Sequence, residues 1–216
     1  MHILAFDTSS KTASVAILHD EIILYEAVIK NGLNRSEVLL PAIEKACLQT
    51  RIKITRIDLF ACAIGPGSFT GLRVGASTIK GLMLATEKPA VGVSLLAAIA
   101  LSAGKCSKII YSIMDAGRGQ VYMACFKYKE KGLLEQIGKE QVLNQSEIKY
   151  DKDAIFVTDG AVKHADIFWA SQKYCRASMV GLLGGEKYHR GELLDADVFV
   201  PLYLRSADAE RRKSLL

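Results

Sequence analysis

The sequence has 216 residues, of which 50% are hydrophobic and 24% are charged, and its formal net charge is +5. This composition excludes a disordered or collagen-like chain, and the longest apolar stretches, such as Leu95 to Leu101, fall short of the ~20 residues that a membrane-spanning helix needs. The positive charge is spread over both halves without a basic block, so it argues only weakly for direct RNA binding.

The N-terminus and the cysteines predict a cytoplasmic protein with no membrane partner. No basic region precedes the first apolar run, in contrast to a secretory signal. The number of cysteines is odd, no CxxC pair is present, and most cysteines stand among apolar neighbours, which predicts reduced, buried side chains. They are Cys47, Cys62, Cys106, Cys125 and Cys175.

The first elements in chain order are three strands and a helix. Runs rich in β-branched and apolar residues predict a three-stranded antiparallel meander over Ile3 to Phe6, Ala13 to Leu18 and Ile22 to Ile29. A helix is predicted from about Ser36 to Thr50, with a kink at Pro41. Asn34 and Glu37 have the spacing of an N-cap and its capping-box partner.

A glycine loop follows a strand and precedes a helix in the next part of the chain. Ile57 to Ile64 is an apolar run of strand length, Gly65 to Phe69 is a loop, and Thr70 to Thr86 has helical periodicity. A short strand over Ala90 to Val93 and a helix from about Ser94 to Ala103 come next. This order of elements predicts an α/β fold.

The second half opens like the first, with a β-hairpin whose turn carries an aspartate. The composition becomes polar at Gly104, and strands are predicted over Lys108 to Met114 and Gln120 to Tyr128. The similarity suggests an ancient duplication and a boundary between subdomains 1–103 and 104–196. The later predicted elements are strands over Leu133 to Leu143 and Ala154 to Thr158, helices over Gly160 to Ser171 and Met179 to His189, and an extended segment over Val198 to Leu204.

The turn Asp7 to Ser10 is the first candidate site. Its hydroxyls and backbone N–H groups could hold phosphate oxygens. The alternative is that Asp and Ser only satisfy backbone groups in a tight turn. Both interpretations remain open on the local sequence.

A second aspartate turn, Asp115 to Gly119, lies at the equivalent place in the second half. Two such hairpins grip the phosphates of a nucleotide in actin, hexokinase and the Hsp70 chaperones, and this chain resembles those proteins here. Ser9 stands where those enzymes have glycine, and only Gly181 to Gly185 could represent their adenosine site, so a competent internal ATPase site is not expected. The candidate phosphate contacts are Asp7, Ser9, Ser10, Asp115 and Gly117.

The stretch from Gly65 to Gly75 is the most informative in the chain. Its glycines permit close backbone approach, Ser68 or Thr70 can cap the helix that follows, and the amides of the helix N-terminus can bind an anion. It matches neither the P-loop nor the dinucleotide-binding pattern. Gly65, Gly67 and Gly71 are its structural glycines.

The helix after the loop has small residues on one face. Gly71, Gly75 and Thr78 share this face with Leu82 and Ala85, so another element can approach closely. Its partner is either the chain's own sheet or first helix, or another molecule. The first helix would complete such a surface with Val38, Leu39, Ile43 and Leu48.

Five motifs in order over the whole chain resemble the TsaB (YeaZ) family of bacterial tRNA threonylcarbamoyladenosine biosynthesis proteins. They are ILAFDTS, RSEVLLP, GPGSFTGLRVG, MDAGRGQVY and PLYLR. The resemblance implies an α/β fold of the actin-like ATPase class (ASKHA, ribonuclease H-like) with two related subdomains. It also implies that the C-terminal segment 197–216 packs back on the first subdomain.

The resemblance further implies a scaffold without catalysis of its own. In this family the paralogue TsaD transfers the threonylcarbamoyl group to the tRNA adenosine next to the anticodon, and TsaE contributes an ATPase. The two early helices pair with TsaD, or with a second copy of the chain when TsaD is absent. Contact with tRNA is expected indirectly, through the complex, and direct contact stays an open question. The implied partner surface is Ser36, Glu37, Leu40, Ile43, Arg73, Gly75 and Leu82.

No cofactor is expected to be required by this chain alone, although the resemblance leaves room for ATP or ADP at the interface of the complex. The metal site of the paralogue uses an HxxxH pair, which this sequence lacks, so no metal site is expected. Arg35 stands where many relatives have a histidine.

Two enzyme classes compete with the scaffold. A peptidase would use Ser68 as nucleophile, with His164 and Asp166 as base and orienter, but the GxSxG spacing is absent. A small-molecule kinase would need both aspartate loops and a deep adenosine pocket.

Overall fold

A computed structural model describes residues 1–10, 12–29, 35–129, 132–158, 169–171 and 177–204, and the side chains of Arg35, Ser36 and 169–171 are outside that description. The described chain contains two five-stranded sheets and four α-helices. The described residues also include two 3₁₀ turns, Ile54–Arg56 and Gln145–Glu147.

The first sheet contains the predicted N-terminal meander. Its strands are β1 (His2–Asp7), β2 (Ala13–His19), β3 (Ile22–Ile29), β4 (Leu59–Gly65) and β5 (Ala90–Ser94). They lie in the order β3-β2-β1-β4-β5. The meander pairs antiparallel, whereas β4 and β5 continue the sheet in parallel with β1.

The second sheet repeats this arrangement strand for strand. Its strands are β6 (Ile110–Gly117), β7 (Gln120–Tyr128), β8 (Leu134–Asn144), β9 (Ile155–Thr158) and β10 (Trp169–Ser171). Read from the other edge, the order is β8-β7-β6-β9-β10. The first three are again antiparallel and the last two again run parallel with the central strand. Two sheets of identical topology agree with the duplication that the hairpins suggest.

Four helices cover these sheets. They are α1 (Arg35–Thr50), α2 (Phe69–Thr86), α3 (Leu95–Leu101) and α4 (Ala177–His189). Helices α1 and α2 pack on one face of the first sheet, and α4 packs on the other. Helix α3 lies between the two sheets, in contact with strands of both.

The alternation of side chains along β1 sets the two faces of the first sheet. Leu4 and Phe6 point into the core shared with α1 and α2, whereas Ile3 and Ala5 point into the core shared with α3 and α4. Successive side chains of a strand point to opposite faces. A strand that is buried on both faces reads as a continuous apolar run, which explains the sequence ILAF.

The predicted helix over Gly160 to Ser171 is wrong at its end. Trp169–Ser171 is strand β10, which pairs in parallel with β9, and residues 160–168 lie outside the described residues, as do Asn34 and Cys175. The final segment 198–204 forms no strand, although the Leu202 N–H donates to the carbonyl of Ile64 at 2.8 Å.

The C-terminal part of the chain returns to the first sheet. Helix α4 falls inside the predicted second subdomain, yet it packs on strands of the first sheet. Beyond it, the Leu194 N–H donates to the carbonyl of Ala90 at 2.8 Å, and Phe199 packs against the core under α1 and α2. The division into 1–103 and 104–196 remains a prediction.

Two expectations from the sequence concern membrane-spanning helices and the burial of the cysteines. None of the helices in the described ranges is long and apolar enough to span a membrane. Among the described cysteines, Cys62 is fully buried, whereas Cys47, Cys106 and Cys125 are half-buried. The expectation of buried cysteines therefore holds in full only for Cys62.

Candidate functional site

The Asp7 turn at the end of β1 is closed on itself. The backbone N–H of Ser9 and its hydroxyl donate to Asp7 Oδ1 at 2.7 and 2.6 Å, and the Ser10 hydroxyl lies 2.6 Å from Asp7 Oδ2. Asp7 and Ser9 are buried. The turn therefore satisfies its own polar groups, as Asp and Ser do in tight turns.

Burial dominates the electrostatics of this turn. Desolvation raises the pKa of Asp7, and the hydrogen bonds from Ser10 and Ser9 oppose that rise. Burial also raises the pKa of the Cys62 thiol, and the negative charge of Asp7 adds to the effect. A thiol with a raised pKa carries little thiolate and is a poor nucleophile.

The glycine loop docks directly on the Asp7 turn. The Ser68 N–H donates to the carbonyl of Ser9 at 2.7 Å. A Cβ on Gly67 would lie 2.6 Å from that carbonyl oxygen, and one on Gly65, whose φ is +125°, would lie 2.6 Å from the carbonyl oxygen of Leu202. Only glycine fits where backbones approach this closely.

Ser68, one of the two predicted candidates, caps helix α2. Its hydroxyl oxygen accepts a hydrogen bond from the Gly71 N–H at 3.3 Å. This contact assigns the Ser68 oxygen a structural role, which gives no support to a peptidase nucleophile. His164 and Asp166 lie outside the described residues.

The small residues at the start of α2 face the chain's own interior. The Thr8 hydroxyl donates to the carbonyl of Gly71 at 2.7 Å, and a Cβ on Gly75 would lie 2.8 Å from Thr8 Oγ1 and 3.8 Å from the Phe6 ring. Gly75 is therefore not on a partner surface. The glycines let α2 approach β1 and the Asp7 turn.

The two predicted phosphate hairpins differ in accessibility. Because Asp7 and Ser9 are buried and hydrogen-bonded within their turn, they do not fit a nucleotide phosphate in this conformation. Asp115 is exposed, and its Oδ1 accepts a hydrogen bond from the Gly117 N–H at 2.7 Å. The aspartate of the second hairpin is thus exposed to solvent, whereas Asp7 of the first is buried.

The stretch Gly181 to Gly185 is not an adenosine loop. It lies within α4, where a Cβ on Gly184 would stand 2.7 Å from Ala61 Cβ, and one on Gly181 would stand 2.5 Å from Leu18 Cδ1. These glycines let the helix sit close against the first sheet. The adenosine assignment is thus wrong for a physical reason: the glycines accommodate packing.

The outer face of α1 carries part of the predicted partner surface. Glu37 is exposed, Leu40 is 56% exposed and Leu48 is 69% exposed. Ile43 is only 5% exposed because it packs into the core beneath the helix. Ile43 is therefore a core residue and leaves the list of surface candidates, and the Ser36 side chain is outside the described part.

Of the residues predicted on α2, only Arg73 lies on its outer face. Arg73 is exposed and its guanidinium carbon lies 4.1 Å from the centre of the Phe69 ring, whereas Leu82 is half-buried against the core. Leu84 is 85% exposed, and a Cβ on Gly81 would have no atom within 4 Å.

The sequence interpretation missed Leu84 and Gly81. Their signal is a second row of small or exposed residues at helical spacing, through Ser77, Gly81 and Leu84, on the side of α2 opposite Gly71 and Gly75. When a helix has two rows of small residues, the sequence alone does not show which row faces the core and which faces solvent.

Metal-binding residues do not cluster in the described part of the chain. No group of three or more His, Cys, Asp or Glu side chains among those residues is placed to hold a metal ion.

Comparisons with known proteins bear on this arrangement. A family model described as TsaD, tRNA N6-adenosine threonylcarbamoyltransferase, matches residues 32–181. The tRNA threonylcarbamoyladenosine biosynthesis protein TsaB of Bacillus subtilis is 31% identical over 228 aligned residues, which cover 98% of this chain and 97% of that protein. The chain belongs to the TsaB family. It therefore takes part in the biosynthesis of threonylcarbamoyladenosine on tRNA.

Solved structures agree with this membership. YeaZ from Pseudomonas aeruginosa superposes with a TM-score of 0.80 at 26% identity, over 94% of this chain and 99% of that one. The activator of the 2-hydroxyisocaproyl-CoA dehydratase from Clostridium difficile superposes with a TM-score of 0.50 at 12% identity, over 90% and 99%. That second likeness concerns the fold alone. The TsaB-family chain thus has the expected actin-like fold.

Proposed function

We propose that this TsaB-family chain is a non-catalytic scaffold that binds a TsaD-like catalytic paralogue through the outer faces of α1 and α2. The observation that carries the proposal is the exposure of Leu40, Leu48 and Leu84 on these two adjacent helices. Large exposed apolar side chains on adjacent helices are typical of a surface that binds a protein partner.

The shape of this face suits a helical partner. On α1, Leu40, Glu44 and Leu48 follow one another at intervals of four residues and lie on one side of the helix. On α2, Ser77 is exposed and a Cβ on Gly81 would meet no atom within 4 Å, so the helix surface beside Leu84 is open. Leucines beside small residues allow two helices of a partner to pack closely, as in a four-helix bundle.

The closed first hairpin supports a role without catalysis. A chain that transfers a group from a nucleotide needs phosphate contacts, yet Asp7 and Ser9 are buried in their own turn. The glycines of α4 pack against the first sheet and supply no adenosine pocket. Neither the kinase nor the peptidase alternative gains support from the described residues.

The remaining features of the proposal follow from the family. When the paralogue is absent, a second copy of the chain binds the same face. The resulting dimer has an isologous interface, in which both copies use the same patch. A TsaE-like ATPase joins the complex, ATP or ADP binds at an interface of the assembly, and the complex works in the cytoplasm.

Leu84→Glu combined with Leu40→Glu tests the docking face. Placing two carboxylates in an apolar interface leaves unpaired buried charges, so the complex with the paralogue should be lost at micromolar concentrations. Light scattering coupled to gel filtration of the mixed proteins measures its mass.

Ile137→Glu is the matched control for that experiment. Ile137 is 44% exposed on β8 of the second sheet, away from α1 and α2, so this variant should keep the complex. Circular dichroism checks that all variants fold. A complex of unchanged mass with the double variant would contradict the assigned face.

A further inference from the structure

A basic cavity of about 580 Å³ lies at one end of the first sheet. His2 at the start of β1, Asp58 just before β4 and Lys88 just before β5 line it, together with Arg51 and Arg56 from the connection after α1. It opens where the parallel strands begin. The Asp7 turn lies at their opposite, carboxyl ends, so the basic cavity is a separate site.

The connection between α1 and β4 carries the cations Arg51, Lys53 and Arg56, and backbone hydrogen bonds hold it in place. Arg51 follows α1 with φ of +58°, and its N–H donates to the carbonyl of Leu48 at 3.2 Å. The Arg56 N–H donates to the carbonyl of Lys53 at 2.8 Å, which closes a 3₁₀ turn. Ile57, which comes next, is fully buried. The cations therefore stand on an anchored segment.

The described lining of this cavity carries an excess of positive charge. Among its described lining residues are the cations Arg51, Lys53, Arg56 and Lys88, and Asp58 is the only carboxylate of that set. Asp58 Oδ2 accepts a hydrogen bond from the His2 N–H at 2.8 Å. Within the described ranges, none of the four cationic side chains makes an ion pair. Such a concave, single-sign surface concentrates a positive potential that attracts anions.

The position of the cavity connects it to the proposed docking face. Arg51 follows the last turn of α1, and Lys88 follows the last turn of α2. The exposed Leu48 and Leu84 are therefore close in sequence to the cavity lining, at the same ends of the two helices. A polyanion that is held by a partner on α1 and α2 would pass beside these cations.

We propose that this cavity binds the sugar–phosphate backbone of tRNA. The four side chains offer only donors, and arginine forks and lysine ammonium groups are the usual partners of phosphate. The described lining residues include no aromatic side chain other than His2 on which a base could stack, so the contact is independent of base sequence. The choice of RNA rests on the family's role in tRNA modification, whereas its path beside the cavity in the complex rests on the proposed docking face.

Lys53→Glu combined with Arg56→Glu tests the site. Fluorescence anisotropy of labelled tRNA measures affinity over a series of KCl concentrations, for the chain alone and for its complex with the paralogue. Loss of two phosphate contacts should weaken binding roughly tenfold or more and make the salt dependence shallower by about 1–2 in log–log slope. The mass of the complex should not change, which separates this site from the docking face.

Lys149→Glu combined with Lys152→Glu is the control, because it changes the net charge equally at exposed positions of the second half. Its tRNA affinity should stay within about twofold of the wild type, as expected for long-range charge effects that salt screens. If both double variants weaken binding equally, or if neither does, the proposal is wrong. Should the charge reversal unfold the chain, Lys53→Gln with Arg56→Gln gives the same comparison.

Competition distinguishes RNA from other anions. Inorganic phosphate, ATP and polyglutamate are added to the labelled tRNA complex at matched ionic strength. Little displacement by any of them supports an RNA backbone site. Displacement by millimolar phosphate or ATP would make this a small-anion site, and displacement by polyglutamate would indicate an acidic protein; either result overturns the proposal.

Discussion

Gly75 determines how closely α2 lies to β1. A Cβ at this position would stand 2.8 Å from Thr8 Oγ1, whose hydroxyl also bonds the carbonyl of Gly71. Gly81 lies on the same helix with open space around it. One glycine is therefore tightly packed and the other is open to solvent, so substitutions at the two positions can be compared on one helix.

Gly75→Ala should lower the free energy of unfolding by about 1–3 kcal/mol, because the methyl group overpacks the contact with Thr8. Gly81→Ala should raise it by about 0.5–1 kcal/mol, since alanine is the better helix former and meets nothing. Urea denaturation measures both. Equal effects of the two substitutions would show that Gly75 is not in close contact.

Asp7 should make stability depend on pH. Its pKa is raised in the folded state because burial disfavours the carboxylate, so the stability that it contributes is present in full below the unfolded pKa and is lost as pH rises through the folded pKa. Asp7→Asn removes this dependence. Between pH 4 and pH 7, the wild type should therefore lose stability relative to the variant.

Urea unfolding of both proteins at several pH values in that window measures the difference. A wild type that instead gains stability relative to Asp7→Asn on raising the pH would mean that the hydrogen bonds from Ser9 and Ser10 outweigh desolvation. The same loop would then favour the carboxylate.

At the scale of elements, α4 is a helix whose glycines are explained by its contact with the first sheet. Gly184→Ala should destabilise the fold by about 1–3 kcal/mol, because its Cβ would meet the rigid Ala61 Cβ at 2.7 Å. Gly185→Ala should cost less, since its Cβ would meet the end of the Ile3 side chain at 3.2 Å.

Thermal unfolding of the two α4 variants shows which of them is less stable. If Gly184→Ala proved as stable as the wild type while ATP binding fell, the packing account would be wrong and an adenosine role would return.

The sequence predicts which elements form better than it predicts which way they face. Hydrophobic periodicity correctly places α1 and α2, but it does not show that Ile43 and Gly75 point inward while Leu84 points outward. The strand β10 has only three residues, too short for an alternating pattern to be read. Glycines mark a close approach, but the sequence does not say whether a ligand or a sheet approaches.

At the scale of the whole molecule, the repeated sheet topology agrees with the duplication that the two aspartate hairpins suggest in the sequence. The sequence does not predict that α4 packs on the first sheet, because this contact joins residues far apart in the chain. The cations of the basic cavity also come together only in three dimensions, since Lys88 is distant in sequence from Arg51.

The shared docking face predicts competition between assemblies. Because a second copy and the paralogue would use the same surface of α1 and α2, adding the paralogue should convert a homodimer of this chain into the mixed complex. Native mass spectrometry at increasing paralogue concentration follows the conversion. A particle that retains the homodimer interface while it also binds the paralogue through α1 and α2 would contradict a shared face.

Formation of threonylcarbamoyladenosine on tRNA by the reconstituted proteins tests the scaffold account most directly. Leu84→Glu with Leu40→Glu should reduce the product at least tenfold, by loss of the complex. Asp115→Asn, which changes the exposed phosphate hairpin, should leave the yield near that of the wild type. The account would be contradicted if the Asp115 variant lost activity in an intact complex while the leucine variant kept it.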